Sequence, residues 1–331
     1  MDNKIVLTGI KPTGRPHLGN YIGAIKPALN LAKELESLSI FFIADYHALT
    51  SIKNPELFKE YTYDVAATWL AMGLDPNKVI FYKQSDIPQI FELSWILSCF
   101  TPKGLMNRAH AYKAKVDENK AKNIDIDMGV NMGLFTYPIL MAADILLFNS
   151  NIVPVGKDQV QHVEIARDIA NAFNNCYGEI FTEPSYLIRQ ETAVIPGLDG
   201  RKMSKSYNNT IPLFCEPKEL KNLINKIKTD SSLPNEPKNI DSPLFLLYKE
   251  FATDEQIEEM KEKFINGIPW GEVKKELFEV INSFLETPRK KYNYLMNNRH
   301  LIDEILEEGA KKAQEICIPN LNKIKEKIGC Q

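Results

Sequence analysis

The first half of the chain alternates short apolar runs with longer amphipathic ones. KIVLTGI (4–10), SIFFIADYHAL (39–49) and KVIFYKQS (78–85) are rich in Ile, Val, Phe and Tyr and bounded by Gly, Asp or Pro, the pattern of buried strands. Three helical segments lie among them. The first is 20–38, which Pro27 should kink or interrupt. The second is 56–72, opened by Asn54-Pro55, with Asn as N-cap and Pro at the first helical position. The third is 88–100, which Asp86 should open in the same fashion. Alternation with crossovers this long predicts a parallel sheet covered on both faces. In such sheets ligands bind beyond the carboxyl ends of the strands, so the loops after residues 10 and 45 are the places to search.

After Thr210 the pattern changes. Residues 216–229, 254–265, 270–296 and 299–316 are strongly charged helical segments without strands between them, and IPNLNKIKEKIG (318–329) reads as one last helix. The expectation is an α/β, Rossmann-like parallel-sheet domain over 1–210 and a helical domain over 211–331, with the last helix packing back on the sheet domain. No repeat or Gly/Ser linker marks the boundary.

Composition adds mainly exclusions. Of the 331 residues, 44% are hydrophobic and 25% charged, ordinary values that exclude disordered and fibrous classes. The longest apolar run, near 134–148, is interrupted by Asp144 and falls short of a membrane span. The N-terminus lacks a basic region followed by a cleavage site, so a cytoplasmic protein is expected. The five cysteines show no C-x-x-C spacing, so no zinc or iron–sulfur site is expected and no residue is assigned as a metal ligand. A net charge of −3 excludes an indiscriminate nucleic-acid coat. It leaves room for local stripes: residues 201–228 carry seven basic side chains against two acidic ones.

Two loops carry the candidate chemistry. GIKPTGRPHLGNYIGA (9–24) follows the first strand and enters a helix near Asn20. Glycines admit a phosphate close to the backbone, and a helix N-terminus offers free N–H donors. His17, at the entry, is placed to donate to an anionic oxygen. The second loop is GRKMSKSYNN (200–209), in which Lys202 and Lys205 alternate with Ser204 and Ser206. A short lysine cluster is usually a solvated loop. However, K-M-S-K-S together with the His17-Leu18-Gly19-Asn20 turn resembles the paired signature of class I aminoacyl-tRNA synthetases, where H-I-G-H and K-M-S-K-S clasp ATP. Asn20 stands in place of the second His, a form found in the tryptophanyl/tyrosyl subclass.

A third segment points within that subclass. In MGVNMGLFTYPILMAADILLFNSNIVPVG (128–156) Asp144 is the only charged residue, and Tyr137, Met141 and Asp144 share one helix face. YPILMAADILL followed by VPVGKDQVQHVE (153–164) resembles the tryptophanyl-tRNA synthetase family. That resemblance implies that Asp144 accepts the indole N–H of L-tryptophan, that Tyr137, Met141, Val153 and Val155 line the ring pocket, and that Gln159 and His47 lie at the ammonium and carboxylate end. It implies ATP contacts from Lys11, Pro12, Thr13, Gly19 and Asn20. Gly156, Lys157 and Asp158 would hold the ribose and adenine side, Val194 would reach adenine through its backbone, and Lys202, Met203, Ser204, Lys205 and Ser206 would cover the triphosphate. Lys157 departs from the more usual G-E-D at its middle position. Lys115, in a segment (108–127) longer than in some relatives, matches a third ATP-contacting lysine. With His17, Lys202 and Lys205 it completes the implied catalytic set. ATP with Mg²⁺, tRNA(Trp) and a second copy of the chain are the implied partners. The alternatives are a tyrosyl-tRNA synthetase, a nucleotidylyltransferase and a non-catalytic RNA-binding paralogue. The last two fit poorly with an intact K-M-S-K-S.

Overall fold

A computed structural model of the chain describes residues 4–34, 37–188 and 195–330. Its centre is a five-stranded, all-parallel sheet of β1 (Ile5–Ile10), β2 (Leu38–Ile43), β3 (Ile80–Lys83), β4 (Ile152–Val155) and β5 (Ser185–Ile188), in spatial order β3-β2-β1-β4-β5. Leu7 lies opposite Ile40 and Ile40 opposite Ile80, while β4 meets β1 through Val6 and Ile152. The chain winds outward from β1 to β3, then returns to the other side of β1 with β4. The switch point therefore lies between the carboxyl ends of β1 and β4, where an open parallel sheet leaves a crevice.

Three strands fall where the apolar runs predict them, with one shortened. The run 39–49 leaves the sheet after Ile43, because Asp45 turns the chain: its carboxylate accepts from the backbone N–H groups of Tyr46 (2.9 Å) and Ser85 (3.1 Å). The strands β4 and β5 are four residues long, too short for alternation to show.

The helices are α1 (Lys26–Glu34), α2 (Pro55–Ala71), α3 (Gln89–Ser98), α4 (His110–Ala121), α5 (Met132–Leu146), α6 (Val160–Tyr177), α7 (Pro217–Asn225), α8 (Pro243–Tyr248), α9 (Asp254–Asn266), α10 (Trp270–Asn297) and α11 (Arg299–Ile328), besides short turns. The interruption expected at Pro27 takes the form of a π-turn, Tyr21–Ile25, just before it. A proline lacks the N–H and crowds the carbonyl four residues back, and the widened turn makes that room. Asn54 caps α2 as its sequence predicts, accepting from Leu57 N–H at 3.0 Å. Asp86 does not cap α3: a 3₁₀ turn, Gln84–Asp86, intervenes, and Asp86 pairs with Lys83 at 3.5 Å instead. The two helices expected over 299–316 and 318–329 are one, continuous through Pro319. Its buried face of Ala313, Cys317, Leu321 and Ile324 offsets the backbone bond that proline forfeits.

Side chains alternate along β2 into two cores. Phe41 and Ile43 face α1, α2 and the helices that follow Thr210, while Ile40 and Phe42 face α3, α5 and α6. The long α11 joins both: Ile302 and Leu306 belong to the first core, Ala310 through Ile324 to the second. It passes the sheet edge at β3, and Gly309 is the point of crossing. A Cβ there would stand 1.8 Å from the Phe81 carbonyl oxygen, so no side chain fits without moving helix or strand. Gly309→Ala should therefore destabilise the fold by about 2–3 kcal/mol through forced displacement. Gly271→Ala, where nothing lies within 4 Å, should be near neutral. Thermal denaturation of the two variants checks this, and equal midpoints would remove the crossing constraint.

Candidate active site

At the switch point the structure holds a cavity of about 450 Å³. Gly9 and Lys11 bound it from the end of β1, Phe42 and Ala44 from the end of β2, and Val153, Val155 and Gly156 from β4. Leu134, Tyr137, Met141 and Asp144 enter from α5, and His47, Thr50, Ala111 and Gln159 from the surrounding loops and α4. Helix α5 is set over the sheet by its Asn131 cap, which accepts from Leu134 N–H at 2.9 Å. One helical face then delivers Tyr137, Met141 and Asp144 together.

Asp144 is the anomaly in this wall, a carboxylate with no solvent exposure among apolar neighbours. Burial raises its pKa, and hydrogen bonds from His47 and Gln84 oppose that rise. His47 Nε2 lies 3.0 Å from Oδ2, and the Gln84 amide nitrogen donates to both oxygens at 2.9 Å. A carboxylate offers about four acceptor positions, so these donors leave it capacity for one more. At the β4 side, Gln159 donates its amide to Asp158 at 3.2 Å, which leaves its oxygen free to accept. The Tyr137 hydroxyl meets His162 Nε2 at 2.6 Å. Burial drives the His162 pKa down to about 4, so this imidazole is neutral at pH 7.

The two sequence loops meet beside the cavity, held by backbone rather than by side chains. Leu18 N–H donates to the Ile211 carbonyl and Leu213 N–H to the Pro16 carbonyl, both at 3.0 Å. Gly19 N–H reaches the Met203 sulfur at 3.4 Å, while Met203 N–H donates to Ile195. Gly14 has φ +131°, open only to glycine, and a Cβ there would lie 2.9 Å from Lys205 Nζ. The Lys205 ammonium therefore sits against the first loop.

His17 and Asn20 form a reciprocal cap. His17 N–H donates to the Asn20 side-chain oxygen (3.1 Å), and Asn20 N–H donates to His17 Nδ1 (3.2 Å). Nδ1 is thus the acceptor, and the proton resides on Nε2, available to an incoming anion. Burial first, and then the positive charge of Lys205, bring the His17 pKa down to about 4. The imidazole is accordingly a neutral donor at pH 7. In the second loop Asn209 is the hub: its oxygen accepts from Ser204 N–H (2.8 Å), and its amide donates to Asp199 (2.7 Å) and the Lys202 carbonyl (3.2 Å). Ser204 and Ser206 join hydroxyl to hydroxyl at 2.8 Å, and Lys202 and Lys205 stand exposed on either side.

All seven residues of the proposed amino-acid set (Asp144, Tyr137, Met141, Val153, Val155, Gln159 and His47) line this one cavity, together with Lys11 and Gly156. His47, on the short turn that follows the early end of β2, lies on the Asp144 carboxylate itself. Lys11 donates to Thr50 at 2.8 Å, and Thr13 N–H closes a tight turn onto the Lys11 carbonyl around the buried Pro12. Gly156, Lys157 and Asp158 start the 3₁₀ turn that follows β4. Lys115 is not drawn into the cavity. Segment 108–127 is mostly helix, Ala111 of α4 lines the cavity, and Lys115, one turn on, pairs with Glu118 at 3.0 Å. Val194 lies outside the described residues. Sequence reasoning missed Gln84 and His162. Gln84 carried a usable signal, a polar residue closing an apolar strand at its carboxyl end.

Comparison with known proteins agrees with this geometry. The family model described as tRNA synthetases class I (W and Y) matches residues 2–286. The tryptophan–tRNA ligase of Neisseria meningitidis is 51% identical over 331 residues, covering 99% of this chain and 98% of that protein. That of Bordetella parapertussis is 52% identical over 330 residues, or 99% of this chain and 73% of the relative. Among solved structures, the tryptophanyl-tRNA synthetase of Campylobacter jejuni complexed with ADP and tryptophan superposes with a TM-score of 0.90 at 46% identity, covering 98% of this chain and 99% of that one. With its cavity at the switch point and two loops pinned beside it, the chain belongs to the class I tRNA synthetases of the tryptophan and tyrosine group.

Proposed function

We propose that this chain activates L-tryptophan with ATP and transfers it to tRNA(Trp). The observation that carries this reading is Asp144, a buried carboxylate with spare acceptor capacity in a cavity to which Met141, Ile145, Val153 and Val155 give apolar walls. An indole presents one N–H on a flat apolar body and satisfies such a wall. A phenylalanine side chain would leave the acceptor unpaired, which a site built on a hydrogen bond rejects strongly. Met141, Val153 and Val155 supply the apolar contacts. The Gln159 oxygen and Tyr137 hydroxyl suit the ammonium.

The reaction then has two steps. The tryptophan carboxylate attacks the α-phosphorus of ATP, forming tryptophanyl-adenylate as pyrophosphate leaves. The 3′-terminal hydroxyl of the tRNA next attacks the acyl carbon, and AMP leaves. The nucleophiles arrive with the substrates, so the protein's part is positioning and charge neutralisation. His17 donates from Nε2 toward the phosphates. Lys202 and Lys205 neutralise charge developing on pyrophosphate, with Met203, Ser204 and Ser206 covering the chain of phosphates. Lys11, Pro12, Thr13, Gly19 and Asn20 approach from the first loop, and Gly156, Lys157 and Asp158 from the ribose side. Lys115 would join them only by leaving Glu118. Among the described residues no group of three or more His, Cys, Asp or Glu could hold a metal. Magnesium would enter on the phosphates of ATP, where this ion commonly binds through phosphate and water.

The seven basic residues of 201–228, with the exposed Lys290 and Lys291 of α10, suit a tRNA held electrostatically and released each turnover, whereas the neighbouring Arg289 is buried and Arg299 pairs with Glu60 at 2.6 Å. The domain division at residue 210, a homodimer and a cytoplasmic location complete the proposal. Among the described residues, no helix is long and apolar enough to cross a membrane.

ATP–pyrophosphate exchange with each amino acid in turn tests the reading, and exchange driven best by anything other than tryptophan would refute it. Lys205→Ala should slow tryptophan-dependent exchange about 100-fold while the tryptophan KM moves less than about threefold. Unchanged exchange would remove the loop from the chemistry. Asp144→Asn, which keeps the shape and halves the acceptors, should raise the tryptophan KM by about tenfold or more. In a pH titration followed by NMR, the His17 imidazole should take up its proton near pH 4, with the Nε2–H tautomer above that. A midpoint near its ordinary 6.5 would contradict the neutral-donor role.

A further inference from the structure

Gln84 lies wholly buried behind the cavity wall and does not line it. Its amide nitrogen stands 2.9 Å from each Asp144 oxygen, while its own oxygen has no hydrogen-bond partner among the described residues. An orphaned buried acceptor is costly, and turning the amide over would press that oxygen against the carboxylate. Asp144 therefore dictates which way the amide points. The seat of Gln84 is itself fixed from two directions. Next to it, Ser85 donates its N–H (3.1 Å) and hydroxyl (2.5 Å) to the buried Asp45, and Gln314 of α11 donates to the Asp86 carbonyl at 3.1 Å. The 3₁₀ turn is clamped between the end of β2 and the last helix.

We propose that Gln84 is a positioning residue for amino-acid selectivity, holding Asp144 as a pure acceptor with its open position on Oδ1, so that the cavity demands an N–H donor. This deepens the reading of Asp144 as indole acceptor and rests on it. With His47 and Gln84 together, Oδ2 receives two donors and Oδ1 only one, the shared amide. Without the amide, the buried carboxylate loses a fixed orientation and a donor that stabilises its charge. It then turns, or takes up a proton and becomes both donor and acceptor. Either way the requirement for an N–H ligand relaxes.

The test compares L-tryptophan with 3-benzothienylalanine, which replaces the indole N–H by sulfur in the same shape. The readout is kcat/KM in ATP–pyrophosphate exchange for the wild-type chain, Gln84→Met and Gln84→Asn. The first variant removes both donors at similar length, and the second withdraws them by one methylene. The ATP KM serves as the check on folding. The wild type should favour tryptophan by about tenfold or more, from one hydrogen bond to a charged group. Both variants should narrow this to within about threefold, through a raised tryptophan KM and with the ATP KM unchanged. If the wild type discriminates and the variants discriminate equally well, or lose both amino acids in proportion, Gln84 has no such role. If the wild type fails to discriminate, the Asp144 reading falls with it.

Discussion

The active end of this fold is organised by the need to keep one charge in an apolar place. Removing a carboxylate from water costs several kcal/mol, and only well-placed donors return it. Asp144 meets that condition from three elements at once: α5 carries it, the turn after β2 brings His47, and the end of β3 brings Gln84. Those donors arrive only if the strands are in register, if β2 stops at Ile43, and if the 84–86 turn is anchored. The register of the sheet, the early exit of β2 and the reach of α11 to Asp86 are thus local requirements of a single carboxylate.

A second constraint joins the loop after β1 to the loop around 200–209. Far apart in sequence, they are locked by the hydrogen bonds among Pro16, Leu18, Ile211 and Leu213. The position of His17 relative to Lys205 is then a property of backbone, with Met203 plugged beneath Gly19. Asn20 also gains a physical explanation. Its short amide returns to the His17 N–H and completes the cap that occupies His17 Nδ1 and leaves the proton on Nε2.

Much of this was legible in the sequence, for identifiable reasons. β1, β2 and β3 announced themselves because their apolar runs are buried on both faces, and Asn54-Pro55 announced α2 through its cap. Tyr137, Met141 and Asp144 were readable as one face because helical spacing is regular. What escaped was set by tertiary contact. The continuity of α11 through Pro319 depends on the core beneath it, and the place of His47 depends on where β2 ends. Lys115 looked like any of several lysines in 108–127, and its pairing with Glu118 depends on the helix that sets the two three residues apart on one face. Gln84 stood in plain view at a strand end, but nothing local says that its partner lies sixty residues on.

The central claim is that the carboxylate of Asp144, held by Gln84 and His47, receives the substrate's ring nitrogen. A crystal structure of this chain with L-tryptophan bound tests it most directly. The account predicts the indole nitrogen within about 3 Å of Asp144, with Gln84 and His47 still on the carboxylate. An indole nitrogen directed to any other group, with Asp144 left to its two protein donors, would contradict it.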